Sequence, residues 1–375
     1  MTRTVPPFRA DHVGSLLRPP EVHRARQELA DGSITSAELR AVEDAAIADV
    51  VAMQKSVGLR SATDGELRRK SWHMDFIFQL GGTTERPPSE QAVEFHTADG
   101  RTILSAQGTF HVDGKVTLEH TIFGEDFATL RSLVDGATPK LTIPSLNMIY
   151  ARGGREAIDV DVYPDLDEFW ADVTDAYVAE MQALAELGCT YLQLDDTSLA
   201  TINDPAHRKA IADRGDDAEH LHLVFIQRLN DVIARKPPGL TITTHMCRGN
   251  FRSAWAAEGS YDFVGEALFG GLDVDGFFVE FDDERSGGFE PLRFVPKGKM
   301  VVLGLVTTKT GELESKDDLK RRIEEASRFV DVDQLCLSPQ CGFASTSEGN
   351  DLTAEQQAAK LRLIVETAAE VWSDA

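Results

Sequence analysis

The sequence predicts an α/β fold, a (β/α)8 TIM barrel, and three observations carry that prediction. Eight short runs read as strands, and most are apolar throughout rather than alternating, as strands buried on both faces do. Long amphipathic helices separate most of them, which suits the crossovers of a parallel sheet. No linker, low-complexity tract or internal repeat divides the 375 residues, a length at which such barrels commonly fold as one unit. The expected organisation is one barrel domain over residues 1–375 with a β-rich insertion at 92–123.

Residues 8–13 open the series. Thr35 with Glu38 then makes a capping box for a helix reaching Val57, closed by Gly58. Residues 59–63 are the second strand. The insertion at 92–123 alternates polar and apolar residues around Asp99-Gly100 and Asp113-Gly114, the pattern of an antiparallel hairpin pair. The third strand falls at 140–143, and a helix over 166–187 stops at Gly188. The fourth is 190–194, and a helix over 218–235 ends before Pro237-Pro238. Strands five to seven fall at 240–243, 276–279 and 300–305. Ser315 with Asp318 caps a helix to about Val330, 334–338 is the eighth strand, and 353–372 is the closing helix.

Composition narrows the partners. A formal net charge of −24 repels nucleic acid and anionic membranes. No apolar run approaches 18 residues and no signal peptide is visible, so the expectation is a cytoplasmic protein. Arg68-Arg69-Lys70, and Arg248 with Arg252, suit an anionic small molecule. Four cysteines do not make a disulfide framework in this length. Cys189 and Cys336 lie in apolar runs and read as core residues, whereas Cys247 and Cys341 sit beside polar residues and glycine.

Barrels of this kind build their sites where the strands end. The ends here carry His12-Val13-Gly14-Ser15, Thr63-Asp64-Gly65-Glu66, Asp195-Asp196-Thr197, His245 with Cys247, Glu280, Thr307-Thr308-Lys309, and Cys341. Two thiolates and an imidazole prefer zinc, and a sulfur-rich catalytic site favours a soft substrate such as a thiol. His245 and Cys247 alone would equally suit a core histidine and a buried thiol; Cys341 in an equivalent context tips them toward metal. Glu280 is either a fourth ligand or an ion-pair partner at the barrel mouth. Glu66 and Asp195 either neutralise nearby arginines or receive the ammonium of an amino-acid substrate in a dry pocket. Ser15 after Gly14 is either a plain turn or a backbone-amide cradle for a carboxylate. His12 is left between packing and support of the site, and Trp72, His73 and Phe76 between the mouth and the core.

The segments ADHVGSLLRP at 10–19, TDGELRRKSWHMDF at 63–76, LQLDDTSLA at 192–200, THMCRGNFRS at 244–253 and LCLSPQCGFAS at 335–345 together resemble the catalytic barrel of cobalamin-independent methionine synthase. The chain is most similar to the short, single-barrel bacterial branch. That resemblance implies zinc held by His245, Cys247, Glu280 and Cys341, and homocysteine contacts at Gly14, Ser15, Glu66 and Asp195. It implies methyl transfer from a methylated folate to the homocysteine thiol, giving methionine. Lys309 stands in the segment where the family's acid is a histidine, and Met148 where the long enzymes place an aromatic residue over the pterin. Related enzymes use methylcobalamin or a corrinoid protein as donor, or open epoxides with coenzyme M, and these stand as alternatives. A lyase on the same barrel, or a silent zinc protein that binds homocysteine, are readings of other classes.

Overall fold

The computed structural model describes residues 3–87, 93–105 and 108–375. Six parallel strands form one continuous sheet in the order Leu335–Pro339, Met300–Val306, Gly276–Glu280, Thr241–Met246, Tyr191–Asp196 and Leu141–Pro144. All six are buried along almost their whole length, which is why their sequences are apolar without alternation. The ring closes through weaker pairings. Ser61–Ala62 pairs with Thr138–Pro139, just ahead of the third strand, and Ala10 makes a single parallel bridge to Leu337. The barrel expected from the sequence is therefore present.

Two of its strands are much shorter than expected, for a local reason. Residues 8–13 form no ladder beyond that bridge, because the Asp11 carboxylate takes the backbone N–H groups of Phe8 and His12 at 3.1 and 2.8 Å. Residues 59–63 keep only Ser61–Ala62 as strand. The Gln54 side chain, from the preceding helix, bonds both the N–H and the carbonyl of Thr63 at 2.9 and 2.8 Å.

The insertion is displaced from its expected bounds. Gly81–Arg86 pairs antiparallel with Thr109–Thr117, and Val93–His96 with Thr102–Ser105. Asp99-Gly100 does turn the second pair, with Gly100 at φ 81°. Asp113-Gly114 does not turn the chain; it lies inside Thr109–Thr117. There the register shifts and Gly114 packs face to face with Gly82, with no room for a Cβ on either. Ala92, Ala106 and Gln107 of the expected insertion lie outside the described residues.

Helix signals hold well. The Thr35–Glu38 capping box starts Ser36–Val57, and Gly58 ends it in the left-handed conformation (φ 96°). Leu166–Glu186, Leu221–Ile233 and Ala354–Val371 fall within two or three residues of expectation. Lys316–Ala326 stops short of Val330. No helix among the described residues is long and apolar enough to cross a membrane.

Helix Leu166–Glu186 also anchors the insertion. Its Glu180 accepts the backbone N–H groups of Ile122 and Phe123 at 3.0 and 3.3 Å, and burial pushes that carboxyl up to about 7. In the unfolded chain it ionises near 4.5, so between those pH values the folded state holds a proton the unfolded state has lost. Stability should therefore fall by up to about 3 kcal/mol as pH rises from 4.5 through 7. Urea unfolding of Glu180→Gln should lack this loss. An identical pH dependence in both proteins would show that Glu180 does not carry it.

Candidate active site and metal centre

Three strands of the barrel deliver the cluster, with Met300–Val306 standing between the second and the third. His245 lies on Thr241–Met246, in register with Asp195 on one side and Phe278 on the other. Cys247 follows one residue past that strand, Glu280 ends Gly276–Glu280, and Cys341 lies just past Leu335–Pro339. One ligand atom from each of His245, Cys247, Glu280 and Cys341 lies within 4.8 Å of the others, and all four residues are buried. The two sulfurs are 3.4 Å apart. Asn250 ties the two cysteine loops together, its amide donating to the Gly342 carbonyl at 2.9 Å.

The electrostatics of this cluster call for a cation. Among the described residues Glu280 Oε2 is buried without a hydrogen-bond partner, with Arg285 3.7 Å away, and His245 is buried with the Cys341 sulfur beside its ring. Two thiols and a carboxylate crowd one dry volume. Hydrogen bonding to Cys247 pulls the Cys341 thiol well below its ordinary range, with His245 adding to the effect. The same sulfur contact, with burial, pushes Cys247 well above it. Burial, and then the Cys341 charge, raise Glu280. Soft sulfur with imidazole and one carboxylate is a donor set that zinc accepts, and a bound dication would take one His245 nitrogen, the two sulfurs and a Glu280 oxygen together.

Beside the cluster lies a small pocket, lined among others by Ser15, Glu66, Trp72, Asp195, Asn250 and Cys341. Two carboxylates therefore face the same space as the sulfurs. Thr142 Oγ1 donates to Glu66 Oε1 at 2.8 Å, and Arg69 stands 3.7 Å from Oε2. Gln193 donates to Asp195 Oδ1 at 2.7 Å. These contacts leave both carboxylates short of positive charge. Burial raises Glu66, and burial together with the Glu66 charge pushes Asp195 up to about 7, against the opposing pull of His245. A cationic group entering the pocket would be held by both.

Glycine is required at position 14. Its φ is 141°, and a Cβ there would sit 2.6 Å from Thr142 Cγ2 and 3.3 Å from Glu66 Oε1. Any side chain would displace the carboxylate. Glu66 itself holds a left-handed backbone (φ 56°), fixed by a bond from its N–H to Asp64 Oδ1 at 2.9 Å.

The structure brings together most of the residues singled out from the sequence, but not all. Ser15, Glu66, Asp195, His245, Cys247 and Cys341 line the pocket, Glu280 completes the cluster, and Gly14 backs Glu66. Arg248 does not line it. Its guanidinium is buried away from the pocket, bonded to the Tyr261 hydroxyl and to the carbonyls of Glu280 and Gly259. The expectation that it meets an anionic substrate is corrected accordingly. His12 is fully buried, and its backbone carbonyl accepts from Lys140. Lys309 is buried with no hydrogen-bond partner on Nζ; its charge acts on Glu280 and Cys341, and it is not among the pocket-lining residues.

Sequence reading missed Gln193, Thr142 and Lys140. Gln193 and Thr142 were assigned to buried strands, where a polar side chain itself signals a contact. Lys140 was placed as a strand's first residue. Its ammonium lies inside the barrel, 3.4 Å from Asp11 and 4.1 Å from the Phe278 ring centre.

Residues 151–370 match the family model described as cobalamin-independent synthase, catalytic domain. The uncharacterised protein YxjG of Bacillus subtilis is 50% identical over 374 residues, covering 99% of this chain and 97% of that one. A solved structure from Listeria monocytogenes, assigned provisionally as a vitamin-B12 independent methionine synthase, is 36% identical over 99% of both chains with a TM-score of 0.77. A B12-independent methionine synthase from Shewanella sp. W3-18-1, solved with selenomethionine, shares the fold at a TM-score of 0.68 and 19% identity over 97% of both chains.

Proposed function

We propose a reaction from a firm premise: this chain belongs to the family of cobalamin-independent methionine synthase catalytic domains. The reaction is zinc-dependent transfer of a methyl group from 5-methyltetrahydrofolate, with or without a polyglutamate tail, to the thiol of homocysteine, giving methionine. The observation that carries it is the meeting, in one pocket, of the four-ligand cluster and two charge-deficient carboxylates. A thiol at one end of a small amino acid and an ammonium at the other fit that pairing.

His245, Cys247, Glu280 and Cys341 would hold the zinc, which supplies the positive charge that keeps a substrate thiol deprotonated near neutral pH. Glu66 and Asp195 bind the ammonium and fix the distance from it to the sulfur end. Gly14 and Ser15 offer the turn amides for the substrate carboxylate. Trp72 and Asn250 close the pocket walls and exclude water.

The test is a steady-state assay of zinc-loaded protein with homocysteine and a panel of donors: methylated folate with one or several glutamates, methylcobalamin, and a methylated corrinoid protein. Methionine from the folates is expected. Turnover that survives complete metal removal would overturn the reading. One observation favours a second donor. A folate's leaving nitrogen needs a proton, and Lys309 does not stand on the pocket wall. A methylated corrinoid needs none, so methionine from corrinoid donors alone would establish that alternative.

A further inference from the structure

We infer that Tyr261 is a positioning residue for the metal centre: its hydroxyl is wedged between the two strands that carry His245, Cys247 and Glu280, and holds their ends apart to the width the ion needs. The inference rests on the zinc reading above. The parallel ladder between Thr241–Met246 and Gly276–Glu280 runs from Gly276↔Thr243 to Val279↔Met246 and goes no further. On their outer sides both strands stay bonded past that point. Cys247 N–H donates to Asp196 O at 2.9 Å, and Phe281 N–H to Gly304 O at 3.0 Å. Of the three ladders that flank and join these two strands, the one between them opens first.

In the opening sits the Tyr261 hydroxyl. It accepts the Glu280 backbone N–H at 3.0 Å and the Arg248 Nη1–H at 3.0 Å, and donates to the Met246 carbonyl at 3.4 Å. A phenol has one proton and two acceptor sites, and all three are used. A strand-to-strand rung is thus replaced by a rung with an oxygen inserted, one residue from His245 and from Cys247 and at Glu280 itself.

Arg248 extends the same device. Its backbone N–H donates to Glu280 Oε1 at 3.0 Å, and its guanidinium lies 4.3 Å from the Tyr261 ring centre. Oε1 is thereby pinned, and Oε2 is left without a hydrogen bond, with Arg285 3.7 Å away. One carboxylate oxygen is anchored by a backbone N–H while the other carries no hydrogen bond among the described residues. The Tyr261 ring itself packs against Phe269 and Phe281, contacts that a phenylalanine would keep. Tyr261→Phe thus removes the wedge and little else.

The experiment measures zinc dissociation constants by chelator competition for wild type and Tyr261→Phe, with thermal melts of both metal-free proteins and visible spectra of their cobalt(II) forms. Tyr261→Phe is expected to weaken zinc binding about 10- to 100-fold, the range for loss of an outer partner of a metal ligand, and to change the cobalt spectrum. Should that variant fail to fold, Arg248→Lys removes a donor to the hydroxyl while keeping the charge, and is expected to shift the cobalt spectrum as well. A zinc affinity within about twofold of wild type, with an unchanged cobalt spectrum, overturns the inference, and so does a loss of metal-free stability alone. Failure of the wild type to bind zinc would instead overturn the metal reading on which it rests.

Discussion

Cys341→Ser is expected to leave a folded protein that retains almost no zinc and forms no measurable methionine. The side chain is small and 2% exposed, and serine nearly matches its shape, so the surrounding packing should survive. What changes is the donor. A hard, neutral hydroxyl replaces a soft sulfur that Cys247 and His245 already make easier to ionise. The remaining His245, Cys247 and Glu280 would still converge, but without the sulfur most easily ionised in that cluster. The loss of affinity should exceed the roughly 10- to 100-fold that removing an outer partner costs. Metal analysis after dialysis against a mild chelator, beside circular dichroism, reads the result. Full zinc occupancy in the variant would remove Cys341 from the ligand set.

Asp195→Asn should raise the homocysteine KM by two to three orders of magnitude and leave the donor KM nearly unchanged. The reason is the dryness of the site. Asp195 is 6% exposed and already short of positive charge, as its rise to about 7 through burial and Glu66 reveals. Removing one partner from a buried charge pair costs about 3–5 kcal/mol, and Glu66, which still faces the ammonium, keeps the loss in the lower part of that range. An analogue with the thiol and carboxylate but no amine separates this from general damage. Wild type and variant should bind 4-mercaptobutyrate equally. Equal losses for homocysteine, the analogue and the methyl donor would count against an ammonium contact.

The barrel was legible because its physics is local and repetitive. Strands buried on both faces must be apolar, as Met300–Val306 shows, and the helix Ser36–Val57 is written in Thr35, Glu38 and Gly58. The convergence of His245, Cys247, Glu280 and Cys341 was legible for a related reason: they sit at or just past strand ends, and a barrel gathers its strand ends at one rim. Where side chains compete with the ladder, the pattern misled. Asp11 and Gln54 capture backbone groups that the first two strands would otherwise pair, and Gly82 facing Gly114 is a strand irregularity that composition alone presents as a turn.

Direction is what a linear chain does not specify. Arg248 was expected to face a substrate, because with Arg252 it forms a local basic cluster in an acidic chain. Its guanidinium turns instead to Tyr261 and two carbonyls, since a fully buried cation must satisfy its donors where acceptors exist. Lys309 was the candidate proton donor because the family resemblance puts it where the acid histidine stands, yet it lies buried and off the pocket wall. Tyr261 carried no signal at all, lying 14 residues past Cys247 in an irregular stretch. Strand periodicity and residue type thus pointed to the fold and to the residues that gather at the rim, and the family resemblance supplied their expected roles as metal ligands and ammonium contacts. Only the packed structure decided which charges face the pocket and which brace it, because that depends on acceptors contributed by distant segments.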